Sequence, residues 1–212
     1  MRRGVLVWLS LLLLAGCTPA PAWSPGPIVV ESATPTGATP TTSPSESGTP
    51  SATPSSTAPT VPSVSGAINA NAYESAHFAS PTGRIWCAIY ADNALCHFPF
   101  GMDMSKVPPS EEVCPGAELD VTGVSVISTA DYFCSGGAEA LPQTNGMYVG
   151  WWKGKGLPSV TYDGQKMAVL PYGRALRKGN YVCASEKVGV TCANTKTGNG
   201  FRVALAGVTF IS

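Results

Sequence analysis

The sequence has few of the residues that mark an active site. Its two histidines, His77 and His97, stand neither in a metal-ligand spacing nor beside a nucleophile motif. A Gly-x-Ser-x-Gly elbow, a His-Glu-x-x-His pair and a phosphate-binding loop are all missing. Glu111 and Glu112 are adjacent, so they cannot face each other across a cleft as glycosidase carboxylates do. The sequence therefore predicts a non-enzymatic protein without a cofactor or metal site.

An apolar run long enough to cross a bilayer is also missing. The longest apolar stretch, Val5 to Leu14, has about ten residues, whereas a membrane-spanning helix needs about 20. Arg2 and Arg3 precede this stretch. A basic start followed by a short apolar run is typical of a cleaved export signal.

The tetrapeptide after this run, Leu14-Ala15-Gly16-Cys17, resembles the lipobox of bacterial lipoprotein precursors. In such precursors the cysteine is lipidated on sulfur and becomes the first residue. The resemblance implies a signal peptide over residues 1–16, lipidation at Cys17, and anchoring at the outer face of the cytoplasmic membrane. The alternative is an ordinary signal peptide that leaves a free thiol, which is unusual in an exported protein.

Charged residues are nearly absent from the segment that follows. From Thr18 to Gly66 the only ones are Glu31 and Glu46, and proline recurs every few positions. Such a composition buries too little apolar surface to offset the entropy lost on ordering. Residues 17–66 are therefore predicted to be a lipidated cysteine followed by a disordered Ser/Thr/Pro-rich tether.

The remaining cysteines form an even set without the tight Cys-x2-Cys pairs of zinc sites. Six cysteines in an exported chain predict three disulfide bonds. The predicted pairs are Cys87–Cys96, Cys114–Cys134 and Cys183–Cys192. The first and last pairs each enclose eight residues with a turn-like centre, which indicates two cross-linked hairpins. The middle pair follows by elimination.

Residues 67–212 are predicted to form a single, mainly β domain, either a small sandwich or a partly open barrel. Helical periodicity is scarce, and short β-rich runs are bounded by Gly, Pro and Asn. Asp163-Gly164 lies between two such runs and predicts a two-residue hairpin. Ser110 to Val113 is the best candidate for a short helix.

Charge is distributed unevenly along this domain. Residues 74–140 contain nine acids and two bases, whereas residues 141–212 contain two acids and nine bases. The basic half could meet an anionic partner, or the two halves could pack together and cancel. No nucleic-acid motif is present, and export argues against that partner.

The most ligand-like cluster in the sequence is Trp151-Trp152-Lys153. In a strand the two indoles would point to opposite faces, leaving one exposed beside a lysine. An exposed tryptophan can stack on a sugar ring or anchor a protein partner. Trp151, Trp152, Lys153 and Tyr172 are therefore the candidate ligand-binding residues; the alternative is that one Trp is core and the other covers a loop.

Both ends of the domain carry a recognisable motif. Residues 78–87 read Phe-Ala-Ser-Pro-Thr-Gly-Arg-Ile-Trp-Cys, and residues 189–201 include Gly-Val-Thr-Cys and Thr-Gly-Asn-Gly-Phe. This pattern resembles that of a group of secreted and lipid-anchored actinobacterial proteins of unknown function. The resemblance implies an actinobacterial or actinophage envelope context and carries over no catalytic residue.

These features together predict an envelope lipoprotein whose tethered β domain binds a wall component or an envelope protein. Two alternatives stay open. The first is an envelope hydrolase acting on wall polymer or lipid, with a Ser/His/Asp triad assembled from distant residues. The second is a prophage-encoded surface lipoprotein that interferes with a phage receptor or with injection.

Overall fold

The computed structural model describes residues 58–212, and this part of the chain is mainly β, as predicted. The predicted signal peptide, Cys17 and most of the predicted tether lie outside the described residues. The strands are β1 (Ile68–Asn69), β2 (Ala76–Ala79), β3 (Trp86–Ile89), β4 (Ala94–His97), β5 (Asp120–Val126), β6 (Ala130–Ser135), β7 (Ser159–Tyr162), β8 (Gln165–Ala168), β9 (Arg174–Lys178), β10 (Tyr181–Glu186), β11 (Gly189–Asn194), β12 (Gly200–Ala204) and β13 (Gly207–Ile211).

Helical structure is sparse in the described part of the chain. One short helix, α1 (Ser110–Val113), lies where the sequence predicts it, and Met104–Lys106 and Met147–Val149 form single 3-10 turns. No helix within residues 58–212 is long and apolar enough to cross a membrane.

The strands form two larger sheets and one hairpin. The six-stranded sheet has the order β1-β9-β10-β11-β12-β13, with β1 parallel to β9 and the other pairs antiparallel. The five-stranded sheet is an antiparallel meander, β2-β3-β4-β5-β6. The third element is the β7–β8 hairpin.

The two larger sheets pack face to face. Alternate residues of each sheet point inward and join one buried cluster, including Phe78, Ile89 and Val124 from the five-stranded sheet. The six-stranded sheet contributes Leu176 and Phe201, among others. Neither sheet closes on itself. Of the two predicted architectures, the described residues therefore form the sandwich.

Three disulfide bonds join the same cysteines that the sequence pairs. Cys87 lies directly opposite Cys96 on β3 and β4, and Cys183 opposite Cys192 on β10 and β11. All four are fully buried. The sulfur atoms of Cys96 and Cys192 lie 3.7 Å apart, so the two bridges touch across the sandwich. We call these two bridges the disulfide stack.

The β7–β8 hairpin turns at Asp163-Gly164, as predicted. Both residues have a positive φ, 48° at Asp163 and 71° at Gly164. Two consecutive residues with positive φ form the turn that matches the twist of a two-residue hairpin. The turn is important because it brings the end of β7 to a surface cleft described below.

The charge asymmetry of the sequence distinguishes the two larger sheets, although residues 141–169 of the basic half pack beside the five-stranded sheet. Residues 74–140 build the whole five-stranded sheet, and residues 141–212 supply the hairpin and β9 to β13. The described ion pairs are His97–Glu139 and Arg202–Glu186, and each lies within one half of the chain. Neither of them joins the acidic half of the chain to the basic half.

Ahead of β1, residues 58–66 run along the outer face of the six-stranded sheet. Pro59 lines one groove with Thr209 of β13, and Val61 lines another with Ala184 of β10. The chain thus enters the sandwich on the face that points away from the five-stranded sheet.

Candidate functional site

A cleft of about 620 Å³ lies at the outer face of the five-stranded sheet. A volume of this size suits a small ligand or one segment of a polymer. We call it the aromatic cleft, because four of its lining residues are Trp86, Phe98, Phe100 and Tyr162. The remaining lining residues are Arg84, His97, Thr122, Gly137, Ala138 and Asp163.

Trp86 and Tyr162 form one rigid wall of the aromatic cleft. The indole N–H of Trp86 donates a hydrogen bond of 2.6 Å to the Gly83 carbonyl. The Trp86 ring meets the Tyr162 ring edge to face, with centroids 6.4 Å apart. Gly83 has a φ of 75°, and a Cβ there would lie 2.8 Å from the Cβ of Tyr162. Glycine therefore permits both the turn and the close approach of the hairpin.

Phe98 and Phe100 supply the other apolar surface. Phe98 is half-buried and packs edge to face against Tyr132, with centroids 6.1 Å apart. Phe100 lies in the loop after β4 with 79% of its surface exposed. Together with the other aromatic rings of the cleft, Phe100 forms an apolar surface that contact with a ligand would remove from water.

His97 is a buried residue at the inner side of the cleft. Its Nε2 lies 3.1 Å from a carboxylate oxygen of Glu139. Burial lowers the pKa of His97, and the Glu139 carboxylate and the Thr122 backbone oppose this only in part. The ring is therefore neutral at neutral pH and meets Phe133 edge to face.

The second histidine, His77, lies on the same outer face but does not line the aromatic cleft. Its ring stacks on Tyr148 with centroids 4.6 Å apart and meets Tyr90 edge to face. Burial lowers the pKa of His77 to about 4, although its Nδ1 lies 3.4 Å from the Leu141 carbonyl oxygen. This environment is that of a packed residue beneath a covering segment.

That covering segment, Gly136–Gly150, closes part of the outer face. Ala140 is buried against Ala88 and Leu95 of the sheet. The Tyr90 hydroxyl donates a hydrogen bond of 2.9 Å to the Glu139 carbonyl. The covered area ends at Gly137 and Ala138, which line the cleft, so the segment forms one border of the site.

The four residues that the sequence predicts to bind a ligand are not brought together in the aromatic cleft. Trp151 is fully buried, and its indole N–H donates a hydrogen bond of 2.8 Å to the His77 carbonyl. Trp152 is half-buried and donates to Pro158, and the exposed Lys153 donates to Gly146. The Trp pair lies in a turn after the Met147–Val149 helix and not in a strand.

Tyr172 does lie at a cleft, but at a second one. This cleft has a volume of about 470 Å³ and lies between the β2–β3 turn and the β10–β11 and β12–β13 turns. Arg84 lines both this cleft and the aromatic cleft. We call the second one the turn cleft.

The described residues offer one group whose spacing would suit a metal ion, the sulfur atoms of Cys87, Cys96 and Cys192. These sulfurs are held in the disulfide stack, so they are not the thiolates that a metal site requires.

No pattern in the sequence predicts the aromatic cleft as a whole. Trp86 and Arg84 belong to the Phe78–Cys87 motif, and a signal was present there. Because Cys87 points into the core, strand alternation puts Trp86 on the outer face. The partners Tyr162 and Phe100 are distant in the chain and come together only through the fold.

Comparison of the chain with protein-family models, curated proteins and solved structures finds no match to any of them.

Proposed function

We propose that this protein is a non-enzymatic envelope lipoprotein whose β domain binds a wall component in the aromatic cleft. The observation that carries the proposal is the cleft of about 620 Å³ with the exposed ring of Phe100 at its rim. Its aromatic faces can pack against the C–H face of a sugar ring, and Asp163 and Arg84 can bond to its polar groups. Flat aromatic walls with polar groups at the border favour a carbohydrate over a purely apolar ligand.

The direction of the cleft supports this role. Residues 58–66 run along the outer face of the six-stranded sheet, whereas the aromatic cleft lies at the outer face of the five-stranded sheet. The chain that leads to the proposed anchor thus joins the sandwich on the opposite side from the cleft. The attachment of the chain therefore does not obstruct the cleft.

A hydrolase is the second candidate, and the pair His97–Glu139 beside the cleft is the observation that favours it. General acid–base catalysis needs a titratable group that reaches the substrate. His97 is buried, its Nε2 lies 3.1 Å from a carboxylate oxygen of Glu139, and its ring meets Phe133 edge to face. Both interactions fix the ring in the sheet, and for this reason we favour binding over hydrolysis.

The proposed anchor depends on Cys17, and replacing it tests the anchor alone. We expect Cys17→Ser to abolish lipidation, because serine lacks the sulfur that receives the lipid. The variant should appear in the medium or stay as an uncleaved precursor, as judged by fractionation and mass spectrometry. A mature-size Cys17→Ser protein retained in the membrane fraction as well as the wild type would contradict the anchor.

The proposed cleft is tested by Phe100→Ser. Burying a phenylalanine side chain contributes about 1.5–3 kcal/mol, so we expect the variant to bind purified cell wall roughly 10- to 100-fold more weakly. The measurement is co-sedimentation of the full-length, detergent-solubilised, disulfide-oxidised protein with walls of a bacterium that carries it.

The matched control is Met147→Ser. Met147 is 76% exposed, nearly as much as Phe100, but it does not line the aromatic cleft. We expect this variant to bind as the wild type does, with unchanged thermal unfolding for both variants. An equal loss of wall binding in the two variants would show that the protein adheres to the wall non-specifically. Wall binding that Phe100→Ser leaves intact, or capture of an envelope protein in place of wall, would overturn the proposal.

A further inference from the structure

Arg84 is the residue at which two clefts of this domain meet. It lines the aromatic cleft together with Trp86 and Tyr162, and the turn cleft together with Tyr172 and Lys187. Its side chain is exposed, and within residues 58–212 its guanidinium makes no hydrogen bond or ion pair. An unpaired guanidinium between two apolar clefts is a suitable donor to a carboxylate or a phosphate.

We propose that one elongated ligand spans both clefts and that this ligand is an anionic glycan, with its carboxylate or phosphate on Arg84. The inference rests on the proposed function, because it names the class of wall component that the aromatic cleft takes. In this arrangement a sugar ring packs against Trp86 and Tyr162. The acidic group lies at the turn cleft, and the next ring of the chain lies towards Tyr172.

The charges around the turn cleft support an anionic group there. Its cations are Arg84 and Lys187, and its single acid is Glu186. The Glu186 carboxylate is already 3.7 Å from the guanidinium of Arg202. Neither Arg84 nor Lys187 has such a partner among the described residues. The turn cleft therefore has a net formal charge of +1, with neither cation in an ion pair within residues 58–212, and attracts an acid.

Asp163 is the acid of the aromatic cleft, and its place fits the same ligand. It lies at the tip of the β7–β8 turn and lines the aromatic cleft but not the turn cleft. A carboxylate accepts hydrogen bonds from sugar hydroxyls, so Asp163 suits a neutral ring. The two clefts thus offer different chemistry, with hydroxyl recognition in the aromatic cleft and anion recognition at Arg84.

Arg84 also projects from a firmly held turn. The Gly83 amide donates to the Ser80 carbonyl at 2.8 Å, and the Ser80 amide donates to the Ile85 carbonyl at 2.9 Å. The hydroxyl oxygens of Ser80 and Thr82 lie 3.0 Å apart within hydrogen-bonding distance. A rigid turn lowers the ordering cost when the guanidinium engages a ligand.

The experiment compares acidic and neutral glycans on the full-length protein in detergent. Purified walls are digested to soluble glycan fragments, which anion exchange separates into neutral and acidic fractions. Calorimetry then gives the affinity for each fraction. A charge-assisted hydrogen bond is strong enough that we expect about tenfold tighter binding of the acidic fraction, and Arg84→Gln should abolish this preference.

The matched control is Lys196→Gln, which also removes one exposed positive charge but lies in the β11–β12 turn, outside both clefts. It should keep the preference for the acidic fraction. Equal affinity of the wild type for both fractions, or an unchanged preference in Arg84→Gln, would overturn the inference and leave the proposed function standing. Binding of neither fraction would overturn both.

A chemical treatment identifies the acidic group. Amidation of the acidic fraction with a carbodiimide removes carboxylates and leaves phosphate diesters charged. Loss of the preference after amidation would assign a carboxylate to Arg84, and a retained preference would assign a phosphate. Either result supports the inference, provided that Arg84→Gln binds the untreated acidic fraction no better than the neutral one.

Discussion

Replacing Cys183 and Cys192 together by alanine should lower the free energy of unfolding by about 3.5–5 kcal/mol. Two effects add. The bridge closes a short loop, with a sequence separation of nine residues, which contributes about 2.5–3 kcal/mol by limiting the unfolded chain. Its sulfurs are also fully buried and touch the Cys87–Cys96 bridge, so their loss leaves a cavity that costs about 1–2 kcal/mol more. Urea unfolding of the full-length protein measures the change.

The double variant Cys114→Ala/Cys134→Ala is the control for this result. Its bridge closes a longer loop, with a separation of 20 residues, but both cysteines are only half-buried. Loop entropy alone would make this bridge slightly more stabilising, at about 3–3.5 kcal/mol. We nevertheless expect the Cys114/Cys134 variant to lose less unfolding free energy than the Cys183/Cys192 variant. That order arises only if the packing of the disulfide stack contributes to stability. A larger loss than in the Cys183/Cys192 variant would contradict that role.

Trp151→Ala is expected to lower the free energy of unfolding by about 3–5 kcal/mol. Trp151 is the largest fully buried side chain of the domain. Its indole N–H donates to the His77 carbonyl, so the side chain ties the turn after the Met147–Val149 helix to β2. The loss of both the packing and this hydrogen bond should be seen as a lower urea midpoint with little change in slope.

Two further substitutions separate the contribution of packing from that of the hydrogen bond. Trp152→Ala removes an indole that is only half-buried and donates to Pro158, and we expect a loss of about 1–2 kcal/mol. Trp151→Phe keeps most of the packing but not the donor, and should cost about 1–3 kcal/mol. If Trp152→Ala were the more damaging of the two alanine variants, Trp151 would not be the structural anchor.

Much of the fold could be predicted from local sequence signals. The equal spacing within Cys87–Cys96 and Cys183–Cys192 predicts two cross-linked hairpins, and directly opposed cysteines are what the strands contain. Asp163-Gly164 predicts a hairpin because few residue pairs accept two positive φ angles. These signals depend on neighbours in the chain, and for that reason they can be read without the fold.

The contact between the two hairpins could not be predicted in the same way. Cys96 and Cys192 are 96 residues apart, and no local pattern brings their sulfurs to 3.7 Å. That contact arises because the two sheets pack face to face and the cysteine side chains of both hairpins point into the space between them. The disulfide stack is thus a consequence of how the layers pack, whereas each bridge is a consequence of its own hairpin.

The exposure of the Trp151–Trp152 pair is a second feature that the sequence alone does not determine. Trp151 and Trp152 would point to opposite faces in a strand, but the chain forms a turn there and buries Trp151 completely. Composition alone cannot separate an exposed Trp from a buried one. Trp86 had the better signal, since its neighbour Cys87 fixes the inward face of β3.

The central claim is that a wall component lies against Trp86 in the aromatic cleft. The most direct measurement is the set of tryptophan indole N–H signals of the full-length protein, recorded by NMR while soluble wall glycan is added. The account predicts a shift of the Trp86 signal, with the buried Trp151 signal unchanged and the Trp86 shift reduced in Phe100→Ser. A Trp86 signal that stays in place while the protein demonstrably binds the glycan would contradict it.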